Sequence, residues 1–463
     1  MDYYRHSGFD WFGYVEDSLM TMIAADKTYL VVGLGLTGVS CVRHLRNQGK
    51  YVEAMDSRAA PPTLADVQSE FPDLRIHLGF DDTVLASADV LVMSPGVPLA
   101  DPAIKKALDQ GVQLSSDIEL FLSEFNGKVI AITGSNAKST VTAWLGEALK
   151  AGGQKTLVAG NIGIPVLETD HAAYDVAVLE LSSFQLELLS RVNADIACVL
   201  NISEDHMDRY ETLAHYVQAK QKIYFGAASV LYNRSDALTQ PLVPDHVLKR
   251  TFASDAPDLN HYGLRKQDGN EWLAQGFDLV LPVSEVALPG GHNVMNALAV
   301  LALADMAGND RSATLTALTS FSGLPYRCQA IRERAGITFI NDSKATNVGS
   351  TTAALEGLVS VRGANIHLLA GGQAKDQDLS PLAEVIEQTC KQVYAFGQDR
   401  QQFLALTDRA VECETLSEAF AKANANAQEG DIVLLSPACA SFDQFENFEH
   451  RGQQFNQLVG ALT

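Results

Sequence analysis

Short apolar, β-branched runs alternate with amphipathic stretches along most of the chain. Tyr29–Val32 reads as a strand and Gly38–Asn47 as a helix. Val52–Met55 is a second strand, ending at Asp56, and Val90–Met93 is another, followed by Ser94-Pro95-Gly96. A second series opens with the strand Val129–Ile132, passes a glycine-bearing turn and continues as the helix Val141–Lys150, stopped by Gly152-Gly153. Val176–Leu179 and Ile196–Leu200 have the pattern of buried strands. A third series comprises Ile337–Ile340, Ile366–Leu369, Val393–Phe396 and Ile432–Leu435, each flanked by turn residues. This alternation predicts an α/β fold built on parallel, doubly wound sheets. The stretch 227–290 is richer in Pro, Asp and Asn, which predicts less regular, antiparallel strands.

The chain has 463 residues, and at ~150 residues per domain that suggests about three domains. The three series place the cuts near 116 and 323, giving domains over 23–116, 117–323 and 324–463. Residues 1–22, MDYYRHSGFDWFGYVEDSLMTM, have no basic n-region and no apolar h-region, so they are not a signal peptide. They read as a disordered upstream extension, with Met20 and Met22 as alternative starts; a small docking helix is the bland alternative. Hydrophobic residues make up 47% and charged residues 19%, which excludes a disordered or fibrous chain. Lys plus Arg is 34 against 56 Asp plus Glu, a net charge of −22, which argues against a nucleic-acid binder. No apolar run reaches the ~18 residues that span a bilayer. The six cysteines (41, 198, 328, 390, 413 and 439) are scattered without metal-type pairs and read as reduced thiols of a cytoplasmic protein.

Two glycine-bearing motifs carry candidate chemistry. Gly33-Leu34-Gly35-Leu36-Thr37-Gly38 follows a strand and opens a helix, and Asp56 ends the next strand. Such a turn lets an anion approach the free amides of a helix N-terminus, and the acid can take a sugar hydroxyl or a base edge. A dinucleotide cofactor, another nucleotide and a structural turn all remain open for it, and an NAD(P) oxidoreductase is one reading of the chain. Thr133-Gly134-Ser135-Asn136-Ala137-Lys138-Ser139-Thr140 resembles a phosphate loop, although Ile132 and Ala137 stand where the full pattern has glycine. Lys138 can reach nucleotide phosphates, and Ser139 or Thr140 can ligate Mg²⁺. A nucleotide-binding protein without catalysis is the second reading. Glu180 closes a strand where another Mg²⁺ ligand is expected, and His206 is a candidate ligand in Asn201–Tyr210. Taken alone, such a histidine reads as a surface hydrogen-bonding group, and the helical Lys220 as a solvated charge.

Together these motifs resemble the Mur ligases, ATP-dependent amide ligases of peptidoglycan precursor synthesis. The resemblance rests on GLGLTG (33–38), SPG (94–96), TGSNAKST (133–140), GNIG (160–163), LELSSFQLE (179–187), NISEDHMDRY (201–210), HNVMNALA (292–299), NDSKATN (341–347) and SPACASFDQFENF (436–448), in family order. It implies a Rossmann-like N-terminal domain, a central ATPase-like domain and a Rossmann-like C-terminal domain. It reassigns the first glycine motif to a uridine diphosphate, with Leu36, Thr37, Asp56, Ser57, Arg58 and Gly96 contacting it. Asn161 and His206 are implied near the muramoyl-alanine end. ATP is implied on Gly134, Ser135, Asn136, Ala137, Lys138, Ser139 and Thr140, with Asn293, Asn296, Arg327 and Asp342. Ser139, Glu180, His206 and a carbamylated Lys220 are implied to hold Mg²⁺. Lys344, Thr346, Lys375, Ser441 and Phe448 are implied at D-glutamate, and the absence of Asp-Asn-Pro-Arg favours that amino acid. The implied reaction transfers a phosphoryl group to the alanyl carboxylate of UDP-N-acetylmuramoyl-L-alanine, and the amine of D-glutamate then attacks the acyl phosphate. A monomer acting on small molecules, without nucleic acid or membrane insertion, is the expectation. Ala137, Tyr326 and Gln329 depart from the family pattern and bear on ATP geometry.

Overall fold

Central strands buried on both faces organise the chain, and with more exposed edge strands they form three sheets among the described residues. The structure is a computed structural model describing residues 27–363, 365–375 and 377–462; the extension read over 1–22 lies outside them. The first sheet comprises β1 (Thr28–Val32), β2 (Tyr51–Asp56), β3 (Arg75–Leu78), β4 (Val90–Met93) and β5 (Gln113–Ser115). All pairs are parallel in the order β3-β2-β1-β4-β5. The order reverses between β1 and β4, where a doubly wound sheet opens a crevice outside its strand ends.

The second sheet comprises β6 (Lys128–Thr133), β7 (Thr156–Gly160), β8 (Val176–Glu180), β9 (Ile196–Val199), β10 (Ser229–Asn233), β11 (Leu248–Phe252), β12 (Tyr262–Gln267), β13 (Asn270–Gln275) and β14 (Asp278–Pro282). Its order is β14-β13-β12-β11-β10-β9-β6-β8-β7. The antiparallel expectation for 227–290 holds for β12–β13–β14 and fails for β10 and β11, which extend the parallel part. Val230 and Leu231 are fully buried, so packing overrides the polar composition around them. The helix Gly291–Ala307 covers this sheet and is buried all round from Val294 to Ala304 apart from Met295. It shares a core with Trp144, whose indole N–H donates to the Ala317 carbonyl at 2.8 Å and whose ring stacks on Phe321.

The third sheet comprises β15 (Gln329–Arg334), β16 (Ile337–Asn341), β17 (Ile366–Gly371), β18 (Cys390–Phe396), β19 (Ala410–Glu412) and β20 (Ile432–Leu435). Its order is β15-β16-β20-β17-β18-β19, antiparallel only at β15–β16. The described chain divides into two compact units. One holds residues up to Phe125 together with Ile164–His171 and Glu187–Ser190, and the other holds the second and third sheets.

Candidate functional site

In the first unit, the loop after β1 is built by close packing. A Cβ at Gly38 would overlap the Gly33 carbonyl oxygen, so the helix Leu36–Asn47 can approach the strand only with glycine there. That helix has no side-chain cap and no acid in its first turn, which leaves its leading amides for an anion. Leu36 is exposed at its start, and Gly96 is exposed beyond β4. Asp56 is buried and fully engaged: Oδ2 accepts from the Leu34 N–H at 2.7 Å and Arg58 Nη2 at 2.8 Å, while Oδ1 accepts from Arg58 N and Nε. Arg58 accordingly holds its carboxyl down at about 2. Here Asp56 ties the glycine loop to Arg58, while the Arg58 and Ser57 side chains face outward.

In the second unit, register aligns the strand ends that carry the phosphate loop. Ile132 pairs with Glu180 and Thr133 with Val199. The loop 134–137 leads into the helix Lys138–Ala151 through Ala137 at φ +64°, so this alanine sits in left-handed backbone. Lys138 Nζ folds back onto the Gly134 and Ser135 carbonyls at 2.8 and 2.9 Å. Lys220 Nζ donates to the same Gly134 carbonyl at 2.8 Å and lies 4.6 Å from the Tyr216 ring. Lys220 is only 1% exposed, which overturns its reading as a solvated charge. Burial, followed by the neighbouring Lys138, pushes its amine well below the ordinary lysine range. Burial lowers Lys138 as well, against the pull of Glu180 and Asp205.

Glu180 is 1% exposed. Its Oε1 accepts from Asn161 Nδ2 at 2.9 Å, while its Oε2 is buried without a hydrogen-bond partner. A Cβ at Gly160 would overlap the Glu180 carbonyl oxygen, which itself accepts the Asn161 N–H at 2.8 Å. Glycine there lets the GNIG turn close on Glu180. His206 has φ +58° and packs edge-on against Phe184. Burial draws its imidazole down to about 4 despite the adjacent Asp205, so the ring is neutral near pH 7. An orphaned carboxylate oxygen and a serine hydroxyl fit a hard divalent cation, and a neutral imidazole has a free nitrogen lone pair to add as a softer ligand. Among the described residues no three His, Cys, Asp or Glu side chains gather as a metal cluster, so Ser139 and a modified Lys220 would have to complete the set.

A cavity of about 630 Å³ opens beside this loop. Asn136, Ala137, Thr140, Asn293, Asn296, Arg327 and Asp342 line it, and so does Lys344. Gly134, Ser135, Lys138 and Ser139 are not among its lining residues. Arg327 Nη2 donates to Ser139 Oγ at 2.7 Å, and the residues on either side of Arg327, Tyr326 and Cys328, both have positive φ. Asp342 is pushed up to about 7 by burial, although Ser436 Oγ and the Cys328 N–H both donate to it. Lys344 lies 3.8 Å from the Phe448 ring and is drawn down to about 8, chiefly by burial. Lys375 is close enough to act electrostatically on His206 and Asp205. Ser441 is buried in the loop after β20, and Thr346 lies between Lys344 and Asn347.

Sequence reasoning missed Asp205, Asn347 and Arg451 as site residues. Asn347 caps the helix Val348–Arg362, a signal visible as Asn before a helical run. Arg451 is fully buried and donates to Ser343 Oγ, Ser343 O and Cys439 O, joining two site loops. Nothing in its helical surroundings marked it as buried.

The three parts of the chain match known families in order. Residues 27–116 match the family described as Mur ligase MurD-like, N-terminal domain; residues 132–304 match the Mur ligase middle domain; residues 326–439 match the Mur ligase, glutamate ligase domain. The chain is also 46% identical over 448 residues to the UDP-N-acetylmuramoylalanine–D-glutamate ligase of Pseudomonas aeruginosa, covering 96% of this chain and 100% of that one. The chain belongs to the Mur ligase family. A ligase of the same name from Saccharophagus degradans is 45% identical over 457 residues, covering 96% and 100%. Among solved structures, the Mur ligase fold recurs in UDP-N-acetylmuramate-alanine ligase MurC from Thermotoga maritima, at TM-score 0.60 and 20% identity over 94% of this chain and 100% of that one. MurF ligase from the same organism, in complex with ADP, gives TM-score 0.58 at 16% identity over 96% and 97%.

Proposed function

We propose that this Mur ligase attaches D-glutamate to UDP-N-acetylmuramoyl-L-alanine, as its relatives are named for doing, with ATP hydrolysed to ADP and phosphate. The observation that carries the reading is that Lys138 and Lys220 meet at the Gly134 carbonyl of one phosphate loop, with Glu180 and His206 in electrostatic reach of Lys138. That loop adjoins a cavity lined by Arg327, Asp342 and Lys344 from the chain around the third sheet. A free carboxylate acylates poorly, so its oxygen must first become a leaving group. The alanyl carboxylate attacks the γ-phosphorus of ATP; the bond to the β-phosphate oxygen breaks and an acyl phosphate forms. Lys138 and Arg327 bear on the charge that develops there. The amine of D-glutamate then adds to the acyl carbon, loses a proton and expels phosphate. Water is kept out, because the acyl phosphate would otherwise hydrolyse.

Glu180, His206, Ser139 and Lys220 as its carbamate would hold Mg²⁺, which when bound offsets charge on the phosphoryl group. Asn293, Asn296, Arg327 and Asp342 serve the adenine, ribose and phosphates of ATP. Leu36, Thr37, Asp56, Ser57, Arg58 and Gly96 serve the uridine diphosphate, with Asp56 acting by holding Arg58 and the loop. Asn161 and His206 face the muramoyl-alanine end. Lys344, Thr346, Lys375, Ser441 and Phe448 serve D-glutamate, whose carboxylates suit lysine point charges. Three domains cut near 116 and 323 divide these tasks, in a cytoplasmic monomer; among the described residues no helix is long and apolar enough to cross a membrane.

Phosphate release with ATP, UDP-N-acetylmuramoyl-L-alanine and each of D-glutamate, L-glutamate and other amino acids tests the reading. D-glutamate is expected to drive it and the others are not; equal rates with L-glutamate would refute the assignment. Lys138→Ala is expected to lose about 10²–10³-fold in turnover while keeping its fold.

A further inference from the structure

Asn347 has no part in the chemistry just described, yet its side chain is buried and fully committed. Its Oδ1 accepts from the Ser350 N–H at 2.8 Å, capping the helix Val348–Arg362. Its Nδ2 donates twice, to Asn136 Oδ1 in the phosphate loop at 3.2 Å and to Asp205 Oδ2 at 3.1 Å. Ser350 Oγ adds a bond to the same Asn136 oxygen at 2.6 Å. Asp205 in turn accepts the His206 N–H at 2.9 Å, and its Oδ2 stands 3.6 Å from His206 Nε2. One amide therefore joins the helix that follows Lys344 and Thr346, the phosphate loop, and the loop that carries His206.

Capping alone does not explain asparagine here. A cap needs only a side-chain oxygen, and Ser, Thr or Asp would serve about as well. Only an amide can cap the helix and also donate to both Asn136 and Asp205. We propose that Asn347 is a positioning residue that keeps the phosphate loop, His206 and the Lys344–Thr346 loop in one register during turnover. This rests on the ligase reading above, since it is that reaction which needs the three pieces together.

The test uses the whole chain and two substitutions that keep the cap. Asn347→Asp preserves shape and the capping oxygen but sets a carboxylate against Asp205. Asn347→Ser also caps and is uncharged, but its side chain is one atom shorter and its single hydroxyl hydrogen cannot replace the two amide hydrogens given to Asn136 and Asp205. Both are expected to lose about tenfold or more in kcat, because misplaced reacting groups lower turnover. The KM for ATP is expected to move less than about threefold, because the Asn136 N–H remains on Asn201 Oδ1 at 2.8 Å and holds the loop. Asp205→Asn combined with Asn347→Asp returns an amide donor to the pair from the other side. It is expected to recover about fivefold or more in kcat over Asn347→Asp alone, the signature of direct coupling. Near-normal kcat in Asn347→Ser would overturn the proposal, since serine caps the helix as well. A double variant no better than Asn347→Asp would also overturn it. A wild-type chain without D-glutamate-dependent phosphate release would overturn the ligase reading itself, and this proposal with it.

Discussion

Ala137 stands where a phosphate loop prefers glycine, and its φ of +64° makes the substitution costly. A left-handed alanine is disfavoured by about 1 kcal/mol relative to glycine. Ala137→Gly is therefore expected to raise the melting temperature of the chain with its turnover intact; a lower melting temperature would show that the alanine methyl packs usefully in the cavity it lines. Lys220 poses a different question of protonation. It shares the Gly134 carbonyl with Lys138, and burial disfavours its charge. A neutral amine is the form that takes up CO₂, and the resulting carbamate supplies the anionic oxygen a hard cation wants. Lys220→Ala is expected to lose activity and regain part of it with short added carboxylates. Lys220→Arg is expected to do no better than alanine, because guanidinium stays protonated. Near-normal turnover in the arginine variant would reduce Lys220 to a buried cation. The sequence named both lysines, but it could not show that they meet at one oxygen, since that contact joins segments 86 residues apart.

Among elements, the strands were the most legible. Val90–Met93 and Ile432–Leu435 are buried at every position, so each appears as an unbroken apolar run. Helix starts were read too late: the helix read from Val141 begins at Lys138, and the one read from Gly38 begins at Leu36. Their first turns carry small or polar residues, Lys138, Ser139 and Thr140 in one and Thr37 and Gly38 in the other, so no apolar period marks them. The helix Asp117–Glu124 hides a further feature. Asp117 at its start is buried, one oxygen lacks a partner, and burial pushes its carboxyl up to about 6. Between its ordinary value of 3.8 and about 6, the folded chain binds more protons than the unfolded one, so this group's contribution to stability falls as pH rises through that window. Above it, the cost of the buried charge is constant. Asp117→Asn is expected to gain about 2 to 3 kcal/mol over wild type at pH 7 and much less at pH 4, measured by denaturant titration at each pH. A gain independent of pH would show that the carboxyl does not titrate in this range.

At the scale of the whole molecule, the reading of 1–22 as an extension predicts that a chain starting at Met22 keeps full turnover; a loss of more than about tenfold, well beyond ordinary surface effects, would assign those residues a role. The three sheets were legible because each has its own strand series. The sharing of pieces between the two units was not, because Ile164–His171 and Glu187–Ser190 follow strands of the second sheet yet belong with the first. Leu188 is part of the first unit's core, Arg43 pairs with Glu168, and Phe121 meets His171 edge-on. The consequence concerns modularity. A gene fragment ending at Phe125 omits three of its own packing partners, so it is expected to be insoluble or partly unfolded by circular dichroism. Mixing it with residues 126–463 is expected to restore order that neither fragment has alone. The first unit is thus not a cassette that could be exchanged between chains by cutting at one linker; a functional graft would have to carry three separate stretches of sequence.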